Sequence, residues 1–106
     1  MSDKELLELA AKAAGFIYKI VDNVLYVQRK RNPKDDWYGW NPLTDDGNAL
    51  RLAVKLGIHI TNSLSEAWAS TEKVTAIQIF DQDTDPYAAT RRAIVRAAAE
   101  IGKGMK

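Results

Sequence analysis

The sequence predicts an α+β fold, a small and mainly antiparallel four-stranded sheet with helices packed on it, in the order α-β-β-α-β-β-α and layered as an α/β/α sandwich. Three observations predict it. Three segments carry apolar residues at helical spacing between recognisable cap and stop signals, and four short stretches between them are rich in β-branched and aromatic residues. The 106 residues, 46% apolar and 27% charged, suit one packed domain over 1–106.

The first helix starts at a capping-box pattern, Ser2 with Glu5, and carries Leu6, Leu7, Leu9, Ala10, Ala13 and Ala14 up to Gly15. Phe16–Val21 and Val24–Gln28 follow as a hairpin, because Asp22-Asn23 between them tolerates positive φ. The run from Arg29 to Asp36 is charged and contains Pro33, which cannot donate to a strand ladder, so a solvated loop is expected there.

Thr44, Asp45 or Asp46 can cap the second helix, whose apolar stripe is Ala49, Leu50, Leu52, Ala53, Val54 and Leu56, stopped by Gly57. Strands are expected at Ile58–Thr61 and Val74–Phe80, with a long connection between them in which Ala67, Trp68 and Ala69 could form a short strand or an edge. Asp85 as cap and Pro86 at the first helical position open the third helix, Tyr87 to Ile101, with Tyr87, Thr90, Ile94, Ala97, Ala98, Ile101 and Met105 on its buried side. Leu9–Ile17 and Leu52–Ile58 echo one another as helix end, glycine and strand start; this is either a duplication or a common way to close a helix.

Charge and composition exclude several function classes. Fifteen basic residues against 14 acidic ones leave a net charge of +1, too little for a global field that draws the chain onto DNA or an anionic membrane. The absence of cysteine excludes disulfides, thiolate metal sites and thiol catalysis, and suits a reducing cytoplasm. Met1-Ser2-Asp3-Lys4-Glu5 is too acidic for a secretory leader, and no apolar run approaches the roughly 20 residues that cross a bilayer.

Catalytic and metal motifs fare no better. Asp81, Asp83 and Asp85 have the opening spacing of a calcium loop, but Pro86 and Arg92 stand where it needs glycine and glutamate. His59 is alone, and no nucleophile elbow or phosphate-cradling glycine loop occurs. The expectation is a non-enzyme that needs no cofactor and no metal.

Two blocks, Trp40-Asn41-Pro42-Leu43 with Asp45-Asp46-Gly47, and Asp85-Pro86-Tyr87-Ala88-Ala89-Thr90-Arg91-Arg92-Ala93-Ile94-Val95-Arg96-Ala97-Ala98-Ala99-Glu100-Ile101-Gly102, resemble small tailed-phage and prophage proteins of the α-β-α sandwich domain family. The resemblance extends to the helix from Glu5 to Gly15, takes in about half of the chain, and is absent from residues 24–36 and 62–73. It implies a phage accessory protein acting in the host cytoplasm, and it brings no catalytic residues.

Binding residues are therefore sought among aromatic and basic side chains. Trp37, Tyr38 and Trp40 lie beside Arg29, Lys30, Arg31 and Lys34, a mixture suited to a protein partner or to single-stranded nucleic acid. Asn41, between Trp40 and a stiffening Pro42, could present its amide to an anion at the helix N-terminus, or could simply brace the turn while Trp40 fills the core edge. Arg92 and Arg96 share a side of the third helix and could hold phosphate, or could form an ordinary solvent face.

The functional expectation is a non-enzymatic accessory protein that binds a host protein and inhibits a bacterial defence system, with Arg29, Arg31, Trp37, Tyr38, Trp40 and Asn41 as partner-binding residues. The alternative is a nucleotide or nucleic-acid binder that sequesters a signalling nucleotide through the same loop with Arg92 and Arg96. A homodimer formed by edge pairing through Val74–Phe80 is also compatible with the apolar character of that strand.

Overall fold

The computed structural model describes residues 2–29, 36–63, 65–79 and 85–105. Lys30, Arg31, Lys34, Phe80, Asp81 and Asp83, together with the side chains of Arg29 and Ile79, lie outside the described residues.

The three helices begin where their caps place them. In α1 (Asp3–Ala13) the Ser2 hydroxyl accepts the Glu5 N–H at 3.2 Å. In α2 (Asp46–Leu56) the Asp45 carboxylate accepts the Asn48 N–H at 2.8 Å, and in α3 (Pro86–Lys103) Asp85 accepts the Tyr87 N–H at 2.9 Å. Gly15 and Gly57 follow α1 and α2 at φ +79° and +66°, left-handed values that turn the chain into the next strand.

The strands are β1 (Phe16–Val21), β2 (Val24–Arg29), β3 (Tyr38–Gly39), β4 (His59–Asn62), β5 (Glu66–Ser70) and β6 (Thr75–Ile79). Asp22 and Asn23 join β1 to β2 at φ 52° and 64°, the double positive φ of a type I′ turn.

The α+β class holds, but the single four-stranded sheet is corrected to two three-stranded antiparallel sheets, β1-β2-β3 and β4-β5-β6. Each expected strand pair gains a third member: β3, which local propensity hides, and β5, which is the short strand expected as one possibility at Ala67–Ala69. β3 has only two residues, and β5 is an alanine-rich stretch whose pairing comes from its neighbours. The sheets are joined through the helices: α3 packs on α1, on α2 and on all three strands of the second sheet, while α1 also packs on β1.

Small residues set these distances. Ala67, Ala69 and Ala76 form the helix-facing side of the second sheet, and Ala93, Ala97, Ala98 and Gly102 of α3 are buried along with Ala10, Ala11 and Ala14 at the end of α1. The opposite face of that sheet is uncovered, with Thr61, Trp68 and Ile77 side by side in register and Trp68 41% exposed. Two covered faces, as in a sandwich, are therefore not formed around it.

Tyr18 ties β1 to α1 by donating its hydroxyl hydrogen to Glu8 Oε2 at 3.3 Å. Partial burial, then the Glu8 charge and this hydrogen bond, push the phenol above its ordinary pKa, so it stays a neutral donor.

Candidate interaction surfaces

The aromatic cluster read from the sequence is divided by the two-residue period of an extended chain. Trp37 lies with Lys19, whose Nζ sits 4.4 Å from the indole centroid. Tyr38 pairs with Val27 on the opposite, core-facing side, where Trp40 is only 5% exposed and meets Phe16 edge to face at 5.6 Å. Trp37 is thus half-buried beside a lysine, Tyr38 half-buried, and Trp40 part of the core.

Asn41 and Pro42 complete the same construction. The Asn41 side-chain oxygen accepts the Leu43 N–H at 3.0 Å, its carbonyl accepts the N–H groups of Thr44 and Asp45, and Pro42 is fully buried. Trp40 N–H donates to the Leu25 carbonyl at 3.0 Å, which anchors the loop to β2. The block braces the entry to α2. Arg29 ends β2 opposite Phe16.

Arg92 and Arg96 do come together, lining a cleft of about 660 Å³ with Lys73, Gln78 and Glu100. Both are engaged. Arg92 holds Asp3 through two bonds, Nη1–Oδ1 at 3.1 Å and Nη2–Oδ2 at 3.3 Å, pinning α3 to the start of α1. Arg96 Nη1 donates to the Ile77 carbonyl at 2.8 Å and to Gln78 Oε1 at 3.2 Å. A phosphate in this cleft would compete with a carboxylate for one arginine and with a strand carbonyl for the other.

The Arg96 contact also bears on edge pairing. Ser63 N–H reaches the Glu66 carbonyl and Thr71 N–H reaches the Val74 carbonyl, so Ala67 and Ala69 direct their backbone groups at β6 and Ile77 directs its own away from the sheet. Arg96 therefore sits on the free edge of β6 at its central residue, a usual way to blunt an edge strand.

The largest departure from expectation is on α2 and at the start of α3. Ala49, Leu52 and Ala53 are buried, whereas Leu50 is 59% and Val54 73% exposed. The apolar stripe is wider than the core it faces: Leu50 lies about 100° around the axis from Ala49, and Val54 is one turn beyond Leu50. Tyr87, expected inside, is 70% exposed, and Met105 is also exposed. Leu50 and Tyr87 share a groove of about 320 Å³ with Ile60 and Ile94.

Polar groups border this groove. Arg91 donates to Asp46 Oδ1 at 2.6 Å and to the Leu43 carbonyl at 2.8 Å, and Asn62 donates to the Thr90 hydroxyl at 2.6 Å. The sequence signal for this surface is the width of the α2 stripe, which includes Leu50 and Val54.

Asp85 acts as a helix cap, and among the described residues no group of three or more His, Asp or Glu side chains could hold a metal ion. Among the described residues no helix is long and apolar enough to cross a membrane. No family model matches the chain, and neither a curated protein nor a solved structure shows significant similarity to it.

Proposed function

We propose that the chain is a non-enzymatic protein-binding module whose partner surface is formed by Leu50 and Val54 of α2, Ile60 of β4 and Tyr87 of α3. The observation that carries this reading is the exposure of Leu50, Ile60 and Tyr87 around one groove, with Val54 exposed one turn along α2 from Leu50. An apolar centre with a hydrogen-bonded polar border is the anatomy of a recognition surface, and exposed tyrosine is favoured at its hot spots. On the resemblance of its motif blocks, the module is a phage accessory protein in the host cytoplasm, its partner a host protein and its effect the inhibition of a bacterial defence system. A heterologous partner is favoured over a homodimer through β6 because Arg96 occupies the centre of that edge.

The test is capture from bacterial lysate with the tagged protein, in high salt and after nuclease treatment. A stoichiometric protein that is retained by wild type and by Trp37→Ala, and lost with the double variant Leu50→Glu/Val54→Glu, supports the reading. The double variant should fold normally, since exposed substitutions usually change stability by less than about 0.5 kcal/mol. A complex indifferent to the double variant, or recovery of salt-sensitive nucleic acid alone, overturns it.

A further inference from the structure

A second face of α2 carries a different chemistry. Arg51 and Lys55 are one helical turn apart, both exposed, and neither makes an ion pair among the described residues. Like charges at this spacing repel and weaken a helix; the Asp45 carboxylate lies near Arg51 across Gly47 without forming an ion pair with it. They overhang a cleft of about 200 Å³ whose other wall is aromatic, made by Phe16, Tyr38 and Trp40, and no acidic residue is among its described lining.

The cations are already oriented. Lys55 Nζ lies 4.8 Å from the Phe16 ring centroid, and Arg51 Nη2 donates to Asn48 Oδ1 at 3.0 Å. Asn48 and Trp40 also line a neighbouring cleft of about 540 Å³, which has Asp3 and Asp45 on its lining, so the two clefts adjoin at these shared residues.

We propose that this cleft binds a small organic anion built on a flat ring, with its carboxylate or phosphate on Arg51 and Lys55 and its ring on the Phe16–Tyr38–Trp40 wall. Two cations supply charge-assisted hydrogen bonds to an oxyanion, and the aromatic wall supplies stacking or edge contact for a ring. The volume limits the choice. It is below the roughly 300 Å³ at which drug-sized pockets begin, so either the whole ligand is a single-ring acid or a larger one extends into the adjoining cleft. The two sources are an aromatic carboxylate and a nucleoside monophosphate.

The experiment is a titration of the isotope-labelled protein, followed by amide and indole NMR shifts, with 4-hydroxybenzoate, AMP, adenosine and inorganic phosphate in separate arms. Binding of either ring-bearing anion, with shifts centred on Tyr38, Trp40, Asn48, Arg51 and Lys55, supports the proposal and identifies the source. The variant Arg51→Gln/Lys55→Gln should weaken that binding by about tenfold or more, since hydrogen bonds to charged groups are at stake. Its backbone spectrum reports independently that it is folded. No saturable shift with either anion at millimolar concentration, equal binding by inorganic phosphate, or an unchanged affinity in the double variant overturns it.

Discussion

Replacing Gly102 by alanine should lower the melting temperature, although glycine to alanine inside a helix ordinarily stabilises by up to about 1 kcal/mol. A Cβ at this position would stand 2.0 Å from the Leu9 carbonyl oxygen and 2.9 Å from its carbon. Those are backbone atoms of α1, so neither can swing aside as a long side chain would. Relief requires α1 and α3 to separate, which loosens the alanine contacts on both sides of the crossing. Overpacking of this kind costs about 1–3 kcal/mol and sometimes more. Each net kcal/mol should appear as a fall of roughly 4–8 °C in a domain of about this size. Gly104→Ala is the control, because the nearest atom to its added Cβ is 3.6 Å away. Thermal unfolding followed by circular dichroism measures both, and an unchanged or higher midpoint for Gly102→Ala would contradict the packing.

Trp40→Ala should be the most damaging truncation in the loop. The indole is nearly enclosed and meets Phe16 edge to face, while the backbone N–H that anchors the turn to Leu25 is kept by alanine, so the loss is one of side-chain packing. Truncating a buried tryptophan costs about 3–5 kcal/mol, a large share of the roughly 5–15 kcal/mol that holds a typical domain together. Trp37→Ala should cost about 1 kcal/mol or less, because its cation–π contact with Lys19 lies on the other side of the sheet. Urea unfolding separates the two. Equal losses would contradict the division of the aromatic cluster between faces.

What could be read from the sequence was mostly local. Ser2, Asp45 and Asp85 cap their helices as their chemistry requires, and Asp22-Asn23 makes the expected hairpin turn. Sheet membership was not local: β3 is two residues long and is defined by Leu25, Tyr26 and Val27 across the ladder, while Ala67 and Ala69 join a strand because α3 needs a shallow surface there. The first has no signature in propensity, and the second only the weak one of three apolar residues, Ala67, Trp68 and Ala69, in a polar run.

The binding surfaces were legible only in part, for a related reason. Hydrophobic periodicity marks an apolar stripe without saying how much of it the rest of the fold will cover: Leu50 and Val54 lie on the stripe and Tyr87 on the expected buried side, yet all three are exposed. Trp40 is open in the sequence to a contact role or to filling the core edge, and the fold gives it the second. The Arg51–Lys55 pair is visible in the sequence as like charges at i, i+4 with no acid between them, but the aromatic wall opposite is assembled from β1, β3 and Trp40 just after it and exists only in three dimensions.

The apolar face of α2 and α3 is the proposed seat of the partner. The most direct measurement is site-specific photo-crosslinking in bacterial lysate, with a photoreactive phenylalanine derivative placed in turn at Val54, at Tyr87 and, as a reference, at Trp37. One protein adduct of the same mass is expected from Val54 and Tyr87, and none of that mass from Trp37. An adduct formed only from Trp37, or none from Val54 and Tyr87 while a complex is demonstrably present, would contradict it.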